Sequence, residues 1–322
     1  MTLLITLLAD GKFHSGEELG KALNISRAAV WKRLKKLEND TNLTIHSVKG
    51  KGYKLDSALS LLDNKLLNQQ INQWPITVLP KVNSTNTECF RLLNTGMPAP
   101  LAVTAEQQTA GKGRRGRQWV SPYGQNLYYS LLIALKNGSH QLEGLSLTVG
   151  LAVLQAIKKM GLTQAGLKWP NDLLFGNKKL CGILLEITGD PADICHVVIG
   201  IGINVNMPKA ITEINQPWTS LRQELGALID RNKLLIELNH SLSYYLKTHY
   251  QHGFRALKDE WQENNLWQHK TVNLLQGNQQ ITGEMLGVDD NGALKLLVNN
   301  EIQYFNAGEV SLRLATPTHD QN

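Results

Sequence analysis

Two helix-start signals, Ser15-Gly16-Glu17-Glu18 and Ser26-Arg27, leave only Leu23-Asn24-Ile25 to join the helices they begin, and a joint that short predicts a helix-turn-helix. Ser15 and Glu18 form a capping box with Leu19 and Ala22 facing inward behind it, and Asn24 tolerates the left-handed backbone of a tight turn. Ser26 caps the next helix, which puts Val30, Leu34 and Leu37 on one face and Arg27, Lys32, Arg33, Lys35 and Lys36 on the others. An earlier stripe of Leu3, Leu4, Leu7 and Leu8, stopped by Asp10-Gly11, supplies a first helix. After them, Leu43 to Leu55 alternates like a two-stranded ribbon around Lys49-Gly50-Lys51-Gly52. Three helices and a basic ribbon make a winged helix-turn-helix. Ser26, Arg27, Lys32 and Arg33 are then placed to meet a major groove, and the wing residues Lys49 and Lys51 to meet phosphates. A run of cations is more often a solvated helix face, but cap, turn length, basic second helix and basic wing occur together here. One copy would contact one half-site, so specific binding to operator DNA calls for a homodimer.

Charge supports that reading. The chain carries a net +6, and its first 56 residues hold ten Lys or Arg against six Asp or Glu, so most of the excess lies in the first sixth of its 322 residues. That length calls for two or three domains, and we expect 1–60 as the winged helix, 61–268 as a large central domain and 269–322 as a small C-terminal domain. No run of eighteen apolar residues and no basic region before Leu3 point to a membrane or to export. Cys89, Cys181 and Cys195 are odd in number and widely spaced, which argues for a reducing cytoplasm and against a structural metal.

From Pro75 to Trp218 the chain alternates strand candidates (Ile76 to Leu79, Leu101 to Ala105, Leu127 to Leu135, Leu167 to Trp169, Gly182 to Ile187, His196 to Asn204) with glycine-rich turns and two helical patterns, Asn86 to Leu93 and Leu145 to Met160. This is a mixed α/β (α+β) layer. Within it Gly111-Lys-Gly-Arg-Arg-Gly116 satisfies G-x-G-x-x-G literally. A dinucleotide fold, however, needs a helix to begin there and an acid about twenty residues on, and no Asp or Glu lies between Glu106 and Glu143. A P-loop needs Lys-Ser or Lys-Thr after Gly116, where this chain has Arg117-Gln118. What remains is a mobile glycine loop whose N–H and guanidinium groups can close over a small anion with Trp119 as a lid, set against a plain surface loop with incidental arginines. Ser220 to Trp267 reads as helices, and Val272 to Leu275, Ile281 to Val288 and Ala293 to Val298 read as hairpin strands of a small SH3-like barrel, with a disordered tail from Thr316 to Asn322.

Asn83-Ser-Thr-Asn86, Lys168-Trp-Pro-Asn-Asp172, Lys178-Lys-Leu-Cys-Gly-Ile-Leu184 and Gly200-Ile-Gly-Ile-Asn204, taken with the arginine loop, resemble the biotin protein ligases over nearly the whole chain. The winged-helix front is similar to the bifunctional kind, the biotin operon repressors. The resemblance implies a biotin/lipoate ligase-like catalytic domain in which biotin and MgATP give biotinyl-5′-AMP and pyrophosphate. A lysine of a biotin carboxyl carrier protein, the acetyl-CoA carboxylase subunit, then takes the biotin, and biotinyl-5′-AMP acts as corepressor. It implies that Ser84, Thr85, Asn86 and Gln108 line the biotin site, with Lys112, Gly113 and Arg114 closing over it. Lys112 stands where an arginine is common, which keeps the charge and loses the fork. Lys179 is implied beside the biotin carboxylate and the α-phosphate, Asp172 near magnesium or the phosphates, and Lys168 as charge nearby, while a salt bridge stiffening the turn at Pro170 is the plainer role for that last pair. Arg115, Trp119, Asn171, Gly200, Gly202, Asn204 and Trp218 are implied around the adenylate, the last from a loop (207–218) that orders over adenine. Arg313 is expected near the ATP or carrier site. Strand Ile194 to Ile199 is expected at a sheet edge, ready for pairing with a twin chain or a carrier protein. The rival readings are a ligase for lipoate or octanoate and a sensor without ligase activity.

Overall fold

A computed structural model describes residues 2–136, 141–190, 194–208, 213–308 and 310–315. Helices α1 (Thr2–Leu8), α2 (Gly16–Leu23) and α3 (Arg27–Thr41) precede a hairpin of β1 (Ile45–Val48) and β2 (Gly52–Leu55). The start signals act as their chemistry requires. Ser15 Oγ accepts from the Glu18 amide and the Glu18 carboxylate accepts from the Ser15 amide, Asn24 turns the chain at φ 52°, and Ser26 Oγ accepts from Ala29. Gly52 fixes the wing, because at φ 102° a Cβ there would stand 2.0 Å from the His14 carbonyl oxygen. Leu4, Ile5, Leu8, Leu19, Val30, Leu34, Leu37 and Leu55 form the core of this unit together with Leu59 and Tyr123. Tyr123 comes from the far end of the arginine loop, so the winged helix and the loop share one packed cluster.

The central sheet has seven strands in the order β3-β4-β5-β9-β8-β7-β6: β3 (Ile76–Leu79), β4 (Leu101–Ala105), β5 (Leu127–Lys136), β6 (Gly166–Lys168), β7 (Asp172–Phe175), β8 (Lys178–Gly189) and β9 (Ile194–Ile203). Only β3 and β4 run parallel. Helix α4 (Asn64–Gln70) leads into β3. One face of the sheet is sealed by α6 (Leu145–Lys159), apolar on nearly every side and packed under α8 (Arg231–His252). On the other face α5 (Thr85–Asn94) covers β4, β5 and part of β9 through Cys89, Leu101, Val103, Leu132 and Val198. That arrangement leaves the glycine-bearing stretches of β8 and β9 on the same face to the arginine loop.

Two expectations need correction. Strand β9 is not an edge: it lies between β5 and β8, with its ladder groups engaged on both sides, so it offers no unpaired backbone to a second chain. Its sequence is apolar on both faces, as a central strand's is, and the local pattern carries no sign of its position. The C-terminal part, β10 (Thr271–Gln276), β11 (Gln279–Val288), β12 (Leu294–Val298), β13 (Glu301–Phe305) and β14 (Val310–Leu314), is an antiparallel five-stranded sheet in the order β13-β12-β11-β10-β14. Among the described residues its end strands do not pair, so it is not a closed barrel. Val272, Leu274, Met285, Leu294, Leu296 and Leu312 continue the central hydrophobic core, and Trp169 Nε1 donates to the Gly292 carbonyl across the junction. Helices α7 (Leu221–Leu225) and α9 (Lys258–Glu263) fill the connection. The expected disorder of Thr316 to Asn322 lies outside the described residues.

Candidate functional site

The floor of the site is made by side chains that are missing. Gly182 and Gly202 are directly paired on β8 and β9, Leu184 pairs with Gly200, and Ser130 of β5 pairs with Gly200 from the other side. A Cβ on Gly200 would stand 2.4 Å from Asn86 Oδ1, and one on Gly202 2.5 Å from the indole of Trp119. Both glycines are therefore required by what lies on them.

Ser84, Thr85 and Asn86 begin α5 at one wall of this floor, all three buried. Ser84 occupies the N-cap position but its hydroxyl makes no capping bond; Gln108 performs that task from outside, its Oε1 accepting from the Thr85 amide (2.9 Å) and hydroxyl (3.1 Å). Gln108 Nε2 donates in turn to Ser121 Oγ. Asn86 is pinned at both ends of its amide: Oδ1 accepts from Ser130 Oγ (2.5 Å) and Nδ2 donates to Glu186 Oε2 (2.7 Å).

The arginine loop crosses above the floor as a small hairpin. Trp119 N–H donates to the Gly111 carbonyl, Gly113 N–H to that of Arg117, and a single turn at Arg114–Gly116 is reached through left-handed Arg115 (φ 59°) and Gly116 (φ 70°). No α-helix begins here. The Trp119 indole lies across Gly182 and Gly202, with its ring N–H buried and without a partner among the described residues. Arg114 reaches away from the turn: Nη1 donates to Asn171 Oδ1 (2.7 Å) and Nη2 to the carbonyls of Ala307 and Gly308, tying the loop to the C-terminal sheet. Lys112 Nζ lies 3.1 Å from Glu186 Oε1. Arg115 and Arg117 remain exposed.

Beside the floor sits a compact cluster of charge. Lys179 Nζ lies 2.7 Å from Asp172 Oδ1, an ion pair rather than an aligned hydrogen bond, and 5.6 Å from the Trp119 ring centroid. Lys168 Nζ is 3.7 Å from Asp172 Oδ2 and 4.7 Å above the Trp267 ring. The salt bridge weighed as the plainer role for Lys168 and Asp172 is thus present, and it sits inside the cluster. Burial pushes the Lys168 ammonium and the Arg114 guanidinium below their ordinary pKa values, against the pull of Asp172. Lys178 points elsewhere, to Glu224 at 3.4 Å.

Two clefts continue from the cluster. One is lined by Arg114, Lys168, Asn171, Asp172, Lys179 and Arg313. The outer one runs past Trp119, Asn204, Glu213, Gln216, Trp218 and Arg313. Trp218 is half-buried and stands next to the backbone of Lys179, whose N–H and C=O bond to Pro217 and Thr219. Asn204 is buried with Nδ2 3.4 Å from the Lys179 carbonyl, so its side chain braces that strand. Of the loop expected to order over adenine, 209–212 lie outside the described residues. Asp172 is the one carboxylate lining the first cleft among the described residues, and no trio of His, Cys, Asp or Glu is arranged to hold a metal among them. The donor set fits an ion that arrives already bound to phosphates and borrows one carboxylate, not one caged by protein.

Glu186 was missed by the sequence reading. A signal existed: residues 182, 184 and 186 share one face of β8, so the face that bears Gly182 also bears Glu186.

In the winged helix, Arg27, Lys32, Arg33, Lys35 and Lys36 are exposed on α3, and Lys49 and Lys51 on the wing, where Lys51 and Lys54 stand 5.9 and 5.1 Å over the Phe13 ring. Ser26 is committed to its cap. Among the described residues no helix is long and apolar enough to cross a membrane.

The chain is similar to known proteins over nearly its whole length. Residues 78–204 match the biotin/lipoate A/B protein ligase family, 1–54 an HTH domain and 270–313 the biotin protein ligase C terminal domain. The chain is 40% identical to the bifunctional ligase/repressor BirA of Salmonella typhimurium and 39% identical to that of Escherichia coli, in each case over 97% of both chains. Among solved structures it is similar to the Aquifex aeolicus biotin protein ligase in complex with biotin and ATP, at 32% identity and a TM-score of 0.66 over 75% of this chain and 99% of that one.

Proposed function

The chain belongs to the bifunctional biotin ligase/repressor family, a biotin protein ligase joined to a DNA-binding repressor domain, and from that premise we propose how its residues divide the work. The observation that carries the proposal is the cluster of Lys179, Asp172 and Lys168 beside the glycine floor, in a cleft that the arginine loop also lines. Biotin lies on the glycine floor with its ureido head toward Ser84, Thr85 and Gln108, groups that offer both donors and acceptors. Its carboxylate ends beside Lys179.

In the first step that carboxylate oxygen attacks the α-phosphorus of ATP, the bond to the bridging oxygen breaks, and pyrophosphate leaves. Negative charge gathers on the phosphoryl oxygens, and Lys179 is a fixed cation at that position. Asp172 would hold a Mg²⁺ ion brought in on the ATP phosphates, and that ion would offset their charge. Asn171 and Arg115 complete the phosphate side, while Trp218 and Asn204 border the adenine. Trp119 and the loop around Gly113 and Arg114 keep water from the mixed anhydride. In the second step the amine of a carrier-protein lysine attacks the acyl carbon, AMP leaves and the amine gives up a proton. We further infer that the adenylate is the corepressor: the loop it orders shares a packed cluster with the winged helix through Tyr123, and the ordered form dimerises on operator DNA.

Biotin-dependent exchange of label between pyrophosphate and ATP tests the reading, with lipoate and no acid as comparisons. Exchange with biotin alone supports it, exchange with lipoate favours a lipoate-type ligase, and none with either favours a sensor. Operator DNA bound equally well with and without biotin and ATP would exclude the corepressor role.

A further inference from the structure

Glu186 touches both the wall of the site and the arginine loop. It projects from β8 on the face of Gly182 and Leu184, three-quarters buried, and its two oxygens are used separately: Oε2 takes the Nδ2 proton of Asn86 at 2.7 Å, and Oε1 takes Lys112 Nζ at 3.1 Å. Asn86 belongs to the rigid wall, buried and held at its other end by Ser130. Lys112 belongs to the hairpin that crosses the pocket and is more than two-fifths exposed. The carboxylate therefore joins a fixed part of the site to a movable one.

We propose that Glu186 is a positioning residue that latches the arginine loop, setting how long the site stays closed over the acyl adenylate. The proposal rests on the ligase reading above. Lys112 makes the form of the contact intelligible: an ammonium needs a single oxygen, so the second oxygen is left free for Asn86, whereas a guanidinium fork would compete for both. The loop has a second tie, Arg114 to Asn171 and to the carbonyls of Ala307 and Gly308, at the opposite side of the hairpin. With Lys112 on one limb and Arg114 at the turn, losing either should loosen the hairpin without unfolding the floor.

The two oxygens can be separated by experiment. Glu186→Gln keeps an acceptor for Asn86 and removes the ion pair; Lys112→Met removes the ion pair from the other side; Glu186→Ala removes both contacts. The full chain is loaded with labelled biotin and MgATP, the enzyme–adenylate complex is isolated, and release is followed in an excess of unlabelled biotin. Glu186→Gln and Lys112→Met should each release adenylate about five- to tenfold faster, the scale of one part-exposed charged hydrogen bond. The double variant should be no faster than either single one, as expected when both changes remove one interaction. Lys112→Arg keeps the ion pair but competes with Asn86 for the carboxylate, so it should hold adenylate as the wild type does while, like Glu186→Ala, raising the KM for biotin. Wild-type release rates in both single variants, or fully additive effects in the double one, overturn the latch. Should Glu186→Gln fail to fold, Lys112→Met on the exposed hairpin decides alone. If the wild-type chain forms no adenylate at all, the ligase reading fails, and the latch with it.

Discussion

Lys179 of β8 reaches past its register partner Leu174 to lie 2.7 Å from Asp172 of β7, and a second cation, Lys168, stands 3.7 Å from the other oxygen of the same carboxylate. One negative charge thus holds two ammonium groups in the cleft proposed for the polyphosphate. Lys179→Met should lower biotin-dependent pyrophosphate exchange by at least about a hundredfold, the scale of losing one group aimed at developing charge. Biotin affinity, measured by calorimetry without ATP, should change by only a few fold. An equal loss in both would make Lys179 a binding residue and not one that acts on the transition state.

Arg114 is the loop's tie to Asn171 and to the Ala307 and Gly308 carbonyls. Arg114→Gly removes the tie and adds backbone freedom at the turn. The variant should form adenylate but release it, biotinylating lysines of a bystander protein such as serum albumin severalfold faster than the wild type. A bystander signal no higher than the wild type's, with adenylate still made, would separate Arg114 from closure.

The distinction between what was legible in the sequence and what was not follows the range of the interactions. Ser15, Glu18, Asn24 and Ser26 act within four residues of themselves, and their roles could be read from spacing alone. The seating of Gly200 and Gly202 beneath Asn86 and Trp119 was legible only as a bare need for absent side chains. The place of β9 in the sheet depends on its pairing with β5, 58 to 76 residues earlier, as well as with β8 just before it, and an apolar run does not encode that. β7 was hidden because Pro170 and Asn171 read as a turn, and β13 because Glu301 to Phe305 has no buried face strong enough to stand out. Glu186 is a lone acid whose partners are 74 and 100 residues away.

Exposed Lys49 and Lys51 on the wing, without acidic partners among the described residues, fit phosphate contacts and not base reading. Replacing each by alanine should lower the slope of log affinity against log salt by about one, with little change in preference among operator variants. Lys32→Ala and Arg33→Ala, on the helix itself, should alter that preference. A salt slope untouched by both wing changes would remove the wing from the interface.

His249 is buried between α6 and α8, with Nδ1 2.8 Å from Thr148 Oγ1 and Nε2 2.9 Å from the Gln141 carbonyl. Burial lowers its pKa below the usual 6.5, outweighing the Gln141 carbonyl. Below 6.5 the unfolded chain takes up a proton at this site before the folded one does, so the site's contribution is present above that pH and fades as pH falls. Melting temperatures at pH 7.5 and 5.5 should therefore differ more for the wild type than for His249→Gln. Equal losses in the two proteins would show that His249 does not contribute to acid sensitivity.

Arg231, at the start of α8, has no solvent exposure and connects three parts of the chain. Its Nε donates to the Ser60 carbonyl, Nη1 to that of Asn126, and Nη2 to Glu106 Oε2. The other oxygen of Glu106 accepts from the Leu62 amide. The segment that leads out of the winged helix is thereby clamped onto the catalytic domain by a buried ion pair, and Glu106 lies two residues before Gln108 of the pocket wall. Removing one partner of such a pair strands the other charge out of water, which costs about 3–5 kcal/mol, whereas replacing both is far milder. Arg231→Met should lower the free energy of unfolding measured in urea by that amount, and adding Glu106→Gln should recover part of the loss. In the single variant the freed segment around Ser60 should become the first site of limited proteolysis, and the dependence of operator binding on biotin and ATP should weaken. If cleavage begins elsewhere while stability falls as expected, the pair stabilises the catalytic domain but does not clamp the segment through which the winged helix is attached.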